Sequence, residues 1–404
     1  MTTDIANLNE INQFPTQRQQ NVRDSGVEIL RIIAIFLICL SHSIQTSEQF
    51  LNYNNLTFGI VVLKILRYSG QVGNVLFVIC SSWFLLDSKG VKFEKLLKIL
   101  LDSMMISTII FLIFACIGQQ FSIKDVFYYV FPDIYYTLWF IPTYALFYLI
   151  HPLLNSAING MNQKTHFTFC LILFGFFGVL GFFGFYLSSI LLNYFLGFCV
   201  IYFVVAFEKK YCKTFYENKK LNLILFFSLF LLFVLLILAK NFLQLESLTI
   251  DQFFSPLLIP MLLILFNLFY GIKIKNKVIN YFASCSLFVY CIHENILMRN
   301  VRADYYNYVL SINFDMYFAW IMLCAIVNFL GGYILSILYK QTLSKLTNKL
   351  SKIFAKWLCC LRDKIYKIFF KENNKLEWFF EFLVDYFKNY FLNFIVLLCP
   401  FVVC

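Results

Sequence analysis

Charge is what this chain has least of. Asp, Glu, Lys and Arg make up 14% of its 404 residues, against 61% hydrophobic and 20% aromatic. That scarcity excludes an ordinary soluble domain and is the composition of a membrane protein. Metal-type cysteine spacing is also missing. The thirteen cysteines lie scattered, mostly in apolar runs, with no Cys-x-x-Cys and no Cys/His ligand spacing, so they read as small buried hydrophobes. Cys285 and Cys291 fall near His293 in the chain, but nothing beside them would activate a thiol. A cleavable signal is absent too: residues 1–26 are polar, carry Pro15 and many Asn and Gln, and read as a disordered cytoplasmic tail. There is no internal repeat of the kind inverted-repeat transporters show.

The positive charge is real but badly placed for nucleic acid. A formal net charge of +11 would suit that partner, yet the lysines fall in short loops between apolar runs and in the C-terminal tail. Cytoplasmic loops of membrane proteins look like that. Apolar windows long enough to span occur at 27–44, 70–86, 98–117, 136–155, 168–186, 187–207, 221–240, 253–272, 279–298 and 315–338. The fifth and sixth need a tight turn around Tyr186 to Ser189. With the N-terminus inside, the cytoplasmic loops hold Lys89, Lys92 and Lys95, then Lys164, five lysines in 208–220, and Lys273, Lys275 and Lys277. The outer side keeps Lys64, Arg67, Lys124, Lys240, Arg299 and Arg302. The expected fold is therefore all-α and polytopic, with ten transmembrane helices and both termini cytoplasmic.

Three units follow: the tail 1–26, a transmembrane unit 27–338, and a C-terminal segment 339–404. The segment 45–69 is too short and too charged to span, and its Leu56 to Leu66 run is expected on the outer face. From 340 to 371 apolar residues alternate with lysines at helical spacing, which predicts a basic amphipathic helix along an anionic bilayer surface. The apolar run 389–404 contains Pro400 and reads as a second interfacial segment.

The first span holds the residues around which the chain is organised. Arg31 and His42 stand eleven positions apart in an otherwise apolar helix. That spacing turns ~1100°, about 20° past three full turns, and rises roughly 16 Å. Both side chains therefore share one face, near opposite ends, and that face must turn toward protein or water. Arg31 either snorkels to a headgroup or forms the basic mouth of an embedded site. His293 in the ninth span reaches the same depth as His42, with Tyr290 and Glu294 nearby. Two imidazoles there suit general acid–base work on a hydroxyl group. His166 falls in a predicted loop and reads as solvated; His151 reads as structural. Lys89, Lys92, Lys95 and Lys98 after the second span set topology or hold phosphates beside Arg31. Trp139 with Phe140 at the outer end of the fourth span anchors to the interface or offers a sugar-stacking platform. Small residues from Gly73 to Ser82 permit close helix contact.

Taken in order, these stations resemble acyltransferase family 3, membrane proteins that O-acylate surface polysaccharides and related glycans. Glu28-x-x-Arg31 and His42 resemble its first-helix Arg-x10-His motif, and Phe77 to Leu85 its second-helix segment. Tyr136 to Phe140 and Pro152-Leu153-Leu154-Asn155 resemble its Trp-Phe to Pro-Leu-Leu-Asn stretch. Ser286 to Asn295 is similar to its late Ser-Phe-x-x-Tyr-x-x-His helix, followed by Arg299. The chain departs from the family at Ser81-Ser82-Trp83, where Ser-Gly-aromatic is usual, and in using lysine rather than arginine after the second helix.

The resemblance implies a multi-pass enzyme of the bacterial cytoplasmic membrane, an O-acetyltransferase with acetyl-CoA as co-substrate and no bound cofactor or metal. The acceptor is a hydroxyl of a cell-surface or lipid-linked polysaccharide. On this reading His42 and His293 are catalytic: one of them takes the acceptor's proton or first accepts the acyl group itself, with His42 the primary base. Glu28 orients Arg31, which meets the donor together with Lys95 and Lys98. Tyr290, Glu294 and Trp139 face the acceptor. The rivals are a transporter or flippase of a lipid-linked glycan, expected to show repeats, and a glycan polymerase, expected to carry a large outer loop.

Overall fold

The protein is described by a computed structural model over residues 24–48, 57–88, 90–179, 190–245, 255–272 and 274–370, with positions 181, 183 and 250. Among the described residues there is helix and no strand. Helix α1 (Ser25–Ser47) starts where Asp24 accepts the Gly26 N–H at 2.9 Å and Glu28 sits in the first turn, both favourable at a helix N-terminus. After α2 (Phe58–Leu66) come α3 (Ser69–Leu85), α4 (Phe93–Cys116), α5 (Ile123–Val130), α6 (Phe140–Gly160) and α7 (Gln163–Leu173), which ends in a π turn at Phe174–Val179. The second half holds α8 (Ile190–Tyr211), α9 (Lys213–Glu217), α10 (Lys219–Phe242), α11 (Leu258–Phe269), α12 (Lys277–Ala283), α13 (Ser286–His293), α14 (Ile296–Ile312), α15 (Tyr317–Gln341) and α16 (Ser344–Phe370).

Among the described residues six stretches are long and apolar enough to cross a membrane: Ser25–Ser47, Phe58–Leu85, Phe93–Cys116, Leu192–Tyr211, Lys219–Phe242 and Tyr317–Gln341. The other expected spans take different forms. The window 253–272 yields only the twelve-residue α11. The window 279–298 is interrupted at Ser284 and Cys285 and stops at His293, giving two short helices. The window 136–155 is reached through turns at 131–139, with Tyr136 in the left-handed region (φ 61°). There Asp133 accepts from Ser103, in the middle of α4, at 2.5 Å. Irregular backbone at such depth is tolerated where protein buries it. The described part of the Leu56 to Leu66 run forms α2, which leads into α3 and buries Ile60 and Leu63. His166, read from sequence as solvated, is fully buried and bonds the Phe203 carbonyl at 3.0 Å. The expected turn at Tyr186 to Ser189, the tail 1–23 and the segment 389–404 lie outside the described residues.

Helix α1 is the axis of the bundle, touching α3, α15, α12, α13 and α14. Its partner α3 approaches closely because small residues face it. A Cβ on Gly73 would collide with the Ala34 carbonyl oxygen and the Ile38 side chain; one on Gly70 would meet only the Ser41 side chain, at 2.6 Å. Serines tie the seam across, Ser69 Oγ donating to Leu37 O at 2.8 Å and Ser41 Oγ to Arg67 O at 2.6 Å. A backbone oxygen cannot rotate away, whereas the serine hydroxyl can, leaving the Ser41 Cβ at 2.8 Å as the one atom at Gly70 that must shift with its backbone. Gly73→Ala is therefore expected to cost about 1–3 kcal/mol, and Gly70→Ala distinctly less. Melting midpoints of the two purified variants test the order, and a more stable Gly73→Ala would contradict it.

Candidate active site

Two helix ends meet in the interior. His42 lies in the last third of α1, while α13 stops at His293 because Asn295 caps the next helix, its side chain accepting the Leu297 N–H at 3.0 Å. Glu294 sits at that break as the C-cap of α13, its N–H still bonding the Tyr290 carbonyl at 3.0 Å. The result is a cluster: His42 Nδ1 lies 3.0 Å from His293 Nε2, the Glu294 carboxylate touches His42 Nδ1, and the imidazoles are stacked at 26°. His293, Glu294 and Arg302 are nearly inaccessible. His42 keeps 18% of its side chain exposed, so it is the member that can reach a substrate.

The hydrogen-bond pattern fixes the roles of the nitrogens. His293 Nδ1 lies 3.1 Å from the Val289 carbonyl, which can only accept, so the proton sits on Nδ1 and Nε2 presents a lone pair. His42 Nδ1 then faces two acceptors, that lone pair and the Glu294 carboxylate, and must carry a hydrogen. The basic nitrogen of His42 is therefore Nε2, with a carboxylate behind the opposite edge of the ring. An imidazole oriented in this way is set up as a general base. Two arginines supply the balancing charge. Arg299 pairs directly with Glu294, and Arg302 Nη2 stands 4.0 Å from Glu294 Oε1 while Nη1 donates to the His293 carbonyl.

His42, His293 and Glu294 each offer a donor atom, all within 4.8 Å of one another. That set could hold a divalent cation. The Glu294 carboxylate already pairs with Arg299, however, and the His42 nitrogen facing it is an N–H. The arrangement fits proton transfer better than metal ligation.

On the other side of Tyr290 opens a cavity of about 430 Å³. Arg31, Lys95, Lys98 and Asp102 line one part of it, and Ile38, Phe140 and Tyr290 another. Ile38 is one turn before His42 and Tyr290 one turn before Glu294, so the cavity approaches the cluster from the Arg31 end. Arg31 Nη1 bonds both Glu28 oxygens, at 3.2 and 3.3 Å. The Tyr290 hydroxyl accepts the Phe140 N–H at 3.4 Å.

The residues singled out from sequence thus separate into two groups. His42, His293 and Glu294 form one cluster. Arg31, Lys95, Lys98 and Tyr290 line one cavity, with Glu28 behind Arg31. Trp139 stands outside that lining, stacked on Tyr194 at 4.1 Å, and the neighbouring Phe140 faces the cavity instead. Two participants were not picked out as site residues. Arg302 was counted only as an outer charge, although Arg299 and Arg302 share a helix face just after Glu294. Asp102 is a carboxylate inside an apolar span with a lysine four residues before it, a pairing that is itself a signal.

The fold and site define a multi-pass helical membrane protein with a buried carboxylate–imidazole pair above a cation-lined cavity. The comparison with known families names it further: residues 24–338 match the acyltransferase family 3 model, described as an acyltransferase domain. The chain belongs to that family. No curated protein and no solved structure matches it.

Proposed function

We propose that this acyltransferase moves an acetyl group from cytoplasmic acetyl-CoA to a hydroxyl of a cell-surface or lipid-linked polysaccharide at a bacterial cytoplasmic membrane. The observation that carries the reading is a cation-lined cavity whose lining reaches Ile38 and Tyr290, one helical turn before His42 and Glu294. A coenzyme A thioester has an anionic phosphate end and a reactive end on a long flexible arm. Arg31, Lys95 and Lys98 suit the first, and the Phe140–Tyr290 end of the cavity suits the second. The lysine-rich loops lie at the same end as Arg31, which supports a cytoplasmic mouth for the donor and ten crossings in all.

In the reaction His42 Nε2 takes the acceptor's O–H proton as that oxygen attacks the thioester carbonyl carbon. The tetrahedral intermediate then breaks its C–S bond, and the departing sulfur takes the proton back from His42. Glu294 holds the Nδ1–H and balances the imidazolium while it exists. His293 seats the His42 ring through its Nε2. The acceptor enters from the far side, where Arg299 is partly exposed.

Proton NMR of the purified surface glycan, before and after mild alkali, tests the proposal. Cells lacking the gene are expected to lose the acetyl signal and complemented cells to regain it. Intact acetylation with altered glycan amount or length would favour a flippase or polymerase instead.

A further inference from the structure

Asp102 is a carboxylate in the wrong place for a cavity meant to take phosphates. It lines the same wall as Arg31, Lys95 and Lys98, where its charge would repel a polyanion. The structure shows what offsets it. Asp102 Oδ2 takes the Lys98 ammonium at 2.7 Å, while Oδ1 accepts Tyr339 OH at 2.7 Å and Thr347 Oγ1 at 2.5 Å. Lys98 Nζ also donates to Ser344 Oγ at 2.8 Å. Two of the three N–H donors of Lys98 are thereby engaged, and its position on the cavity wall is set from behind. Of these partners, Tyr339 is at the end of α15, while Ser344 and Thr347 are in the first turn of α16, all beyond residue 338 where the family match stops.

We infer that Thr347 and Ser344 of α16 are positioning residues of the donor site, acting through Asp102 and Lys98. The inference rests on the donor reading of the cavity. Helix α16 packs its polar first turns, with Ser344, Thr347 and Ser351 buried, against α4. A helix that only covered a membrane surface would have no need of three buried hydroxyls, two of them aimed at one Lys–Asp pair. With both Asp102 oxygens engaged, its charge is drawn toward α15 and α16 and away from the cavity, and the third Lys98 N–H is left for an anion. Without Thr347 the carboxylate rotates, Lys98 follows it, and the cavity loses both a fixed cation and part of its screening of Asp102.

The experiment is calorimetric titration of acetyl-CoA into the full chain in nanodiscs. Four variants are compared with the parent: Thr347→Val, Thr347→Ser, Lys98→Met, and Thr347→Val with Lys98→Met. Thr347→Val keeps the shape and loses the hydroxyl, and is expected to raise Kd about five- to tenfold, the scale of an ordinary intramolecular hydrogen bond. Thr347→Ser restores the parent value, Lys98→Met weakens binding about tenfold, and the double variant is no weaker than Lys98→Met alone. A purely structural role for Thr347 would give additive losses and no rescue by serine, and either outcome overturns the inference. If Lys98→Met weakens binding but Thr347→Val does not, α16 plays no part and the donor reading stands. If Lys98→Met leaves Kd unchanged, the donor reading fails and takes this inference with it.

Discussion

Replacing His42 by alanine should lower the rate of acetyl transfer by about 10²–10⁴-fold, the range that a positioned general base supplies. The Kd for acetyl-CoA should change little, because His42 does not line the donor cavity. The reason is the tautomer chain. Val289 O fixes the His293 proton, and His293 with Glu294 fixes the His42 Nδ1 hydrogen, leaving Nε2 as the one basic nitrogen at the accessible edge. His293→Ala should be milder, about tenfold, since His293 acts on His42 and is itself inaccessible. Single-turnover transfer at matched membrane levels checks both. Full activity in His42→Ala would remove it as the base, and equal losses at both histidines would point to a shared role instead.

Glu294→Gln should be nearly as damaging, for two separable reasons. Catalytically, an amide in place of the carboxylate no longer balances a charged His42, and a loss of about 10²–10³-fold is expected. Structurally, the change strips the carboxylate from Arg302, which is 4% exposed. A buried charge left without its partner costs about 3–5 kcal/mol, so the melting midpoint should fall as well. Adding Arg302→Met to Glu294→Gln removes that stranded cation and should restore much of the lost stability. It should not restore transfer. Recovery of both together would mean that Glu294 serves folding alone.

Much of this arrangement could be read from the chain, and what could not has definite physical causes. Arg31 and His42 were legible because eleven residues is close to three helical turns, so one helix fixes their relation without help from any other. His293 and Glu294 could be placed at a similar depth, but their contact with His42 depends on how α13 packs on α1 and on the break at Asn295. Periodicity does not report either. The contact between Glu294 and His42 is hidden for the same reason. The breaks around α12 and α13 do not show in a span count, since an apolar window looks the same whether the backbone inside it is continuous or interrupted. His166 looked solvated because a histidine in a predicted loop carries no sign of the Phe203 carbonyl that receives it. Ser344 and Thr347 were invisible as site residues. They belong to a stretch whose lysine–apolar alternation announces a surface helix, and two hydroxyls hidden on its inner face do not disturb that pattern.

The single rod that carries both Arg31 and His42 also works as a ruler. With α1 clamped along α3 by the Gly73 approach, neither residue can slide toward the other. The distance between the anchored end of a thioester donor and the nitrogen that receives a proton is then a constant of the molecule. Length variation is tolerated in the loops of such a bundle but not here. One residue inserted between positions 31 and 42 would swing His42 about 100° off the shared face. A whole extra turn would keep the face and lengthen the gauge by about 5 Å, admitting a different reach of donor. On the proposed reading a coenzyme A thioester has the same reach from phosphate to carbonyl whatever its acyl group, so this spacing matches the carrier arm and leaves the choice of acyl group to the pocket.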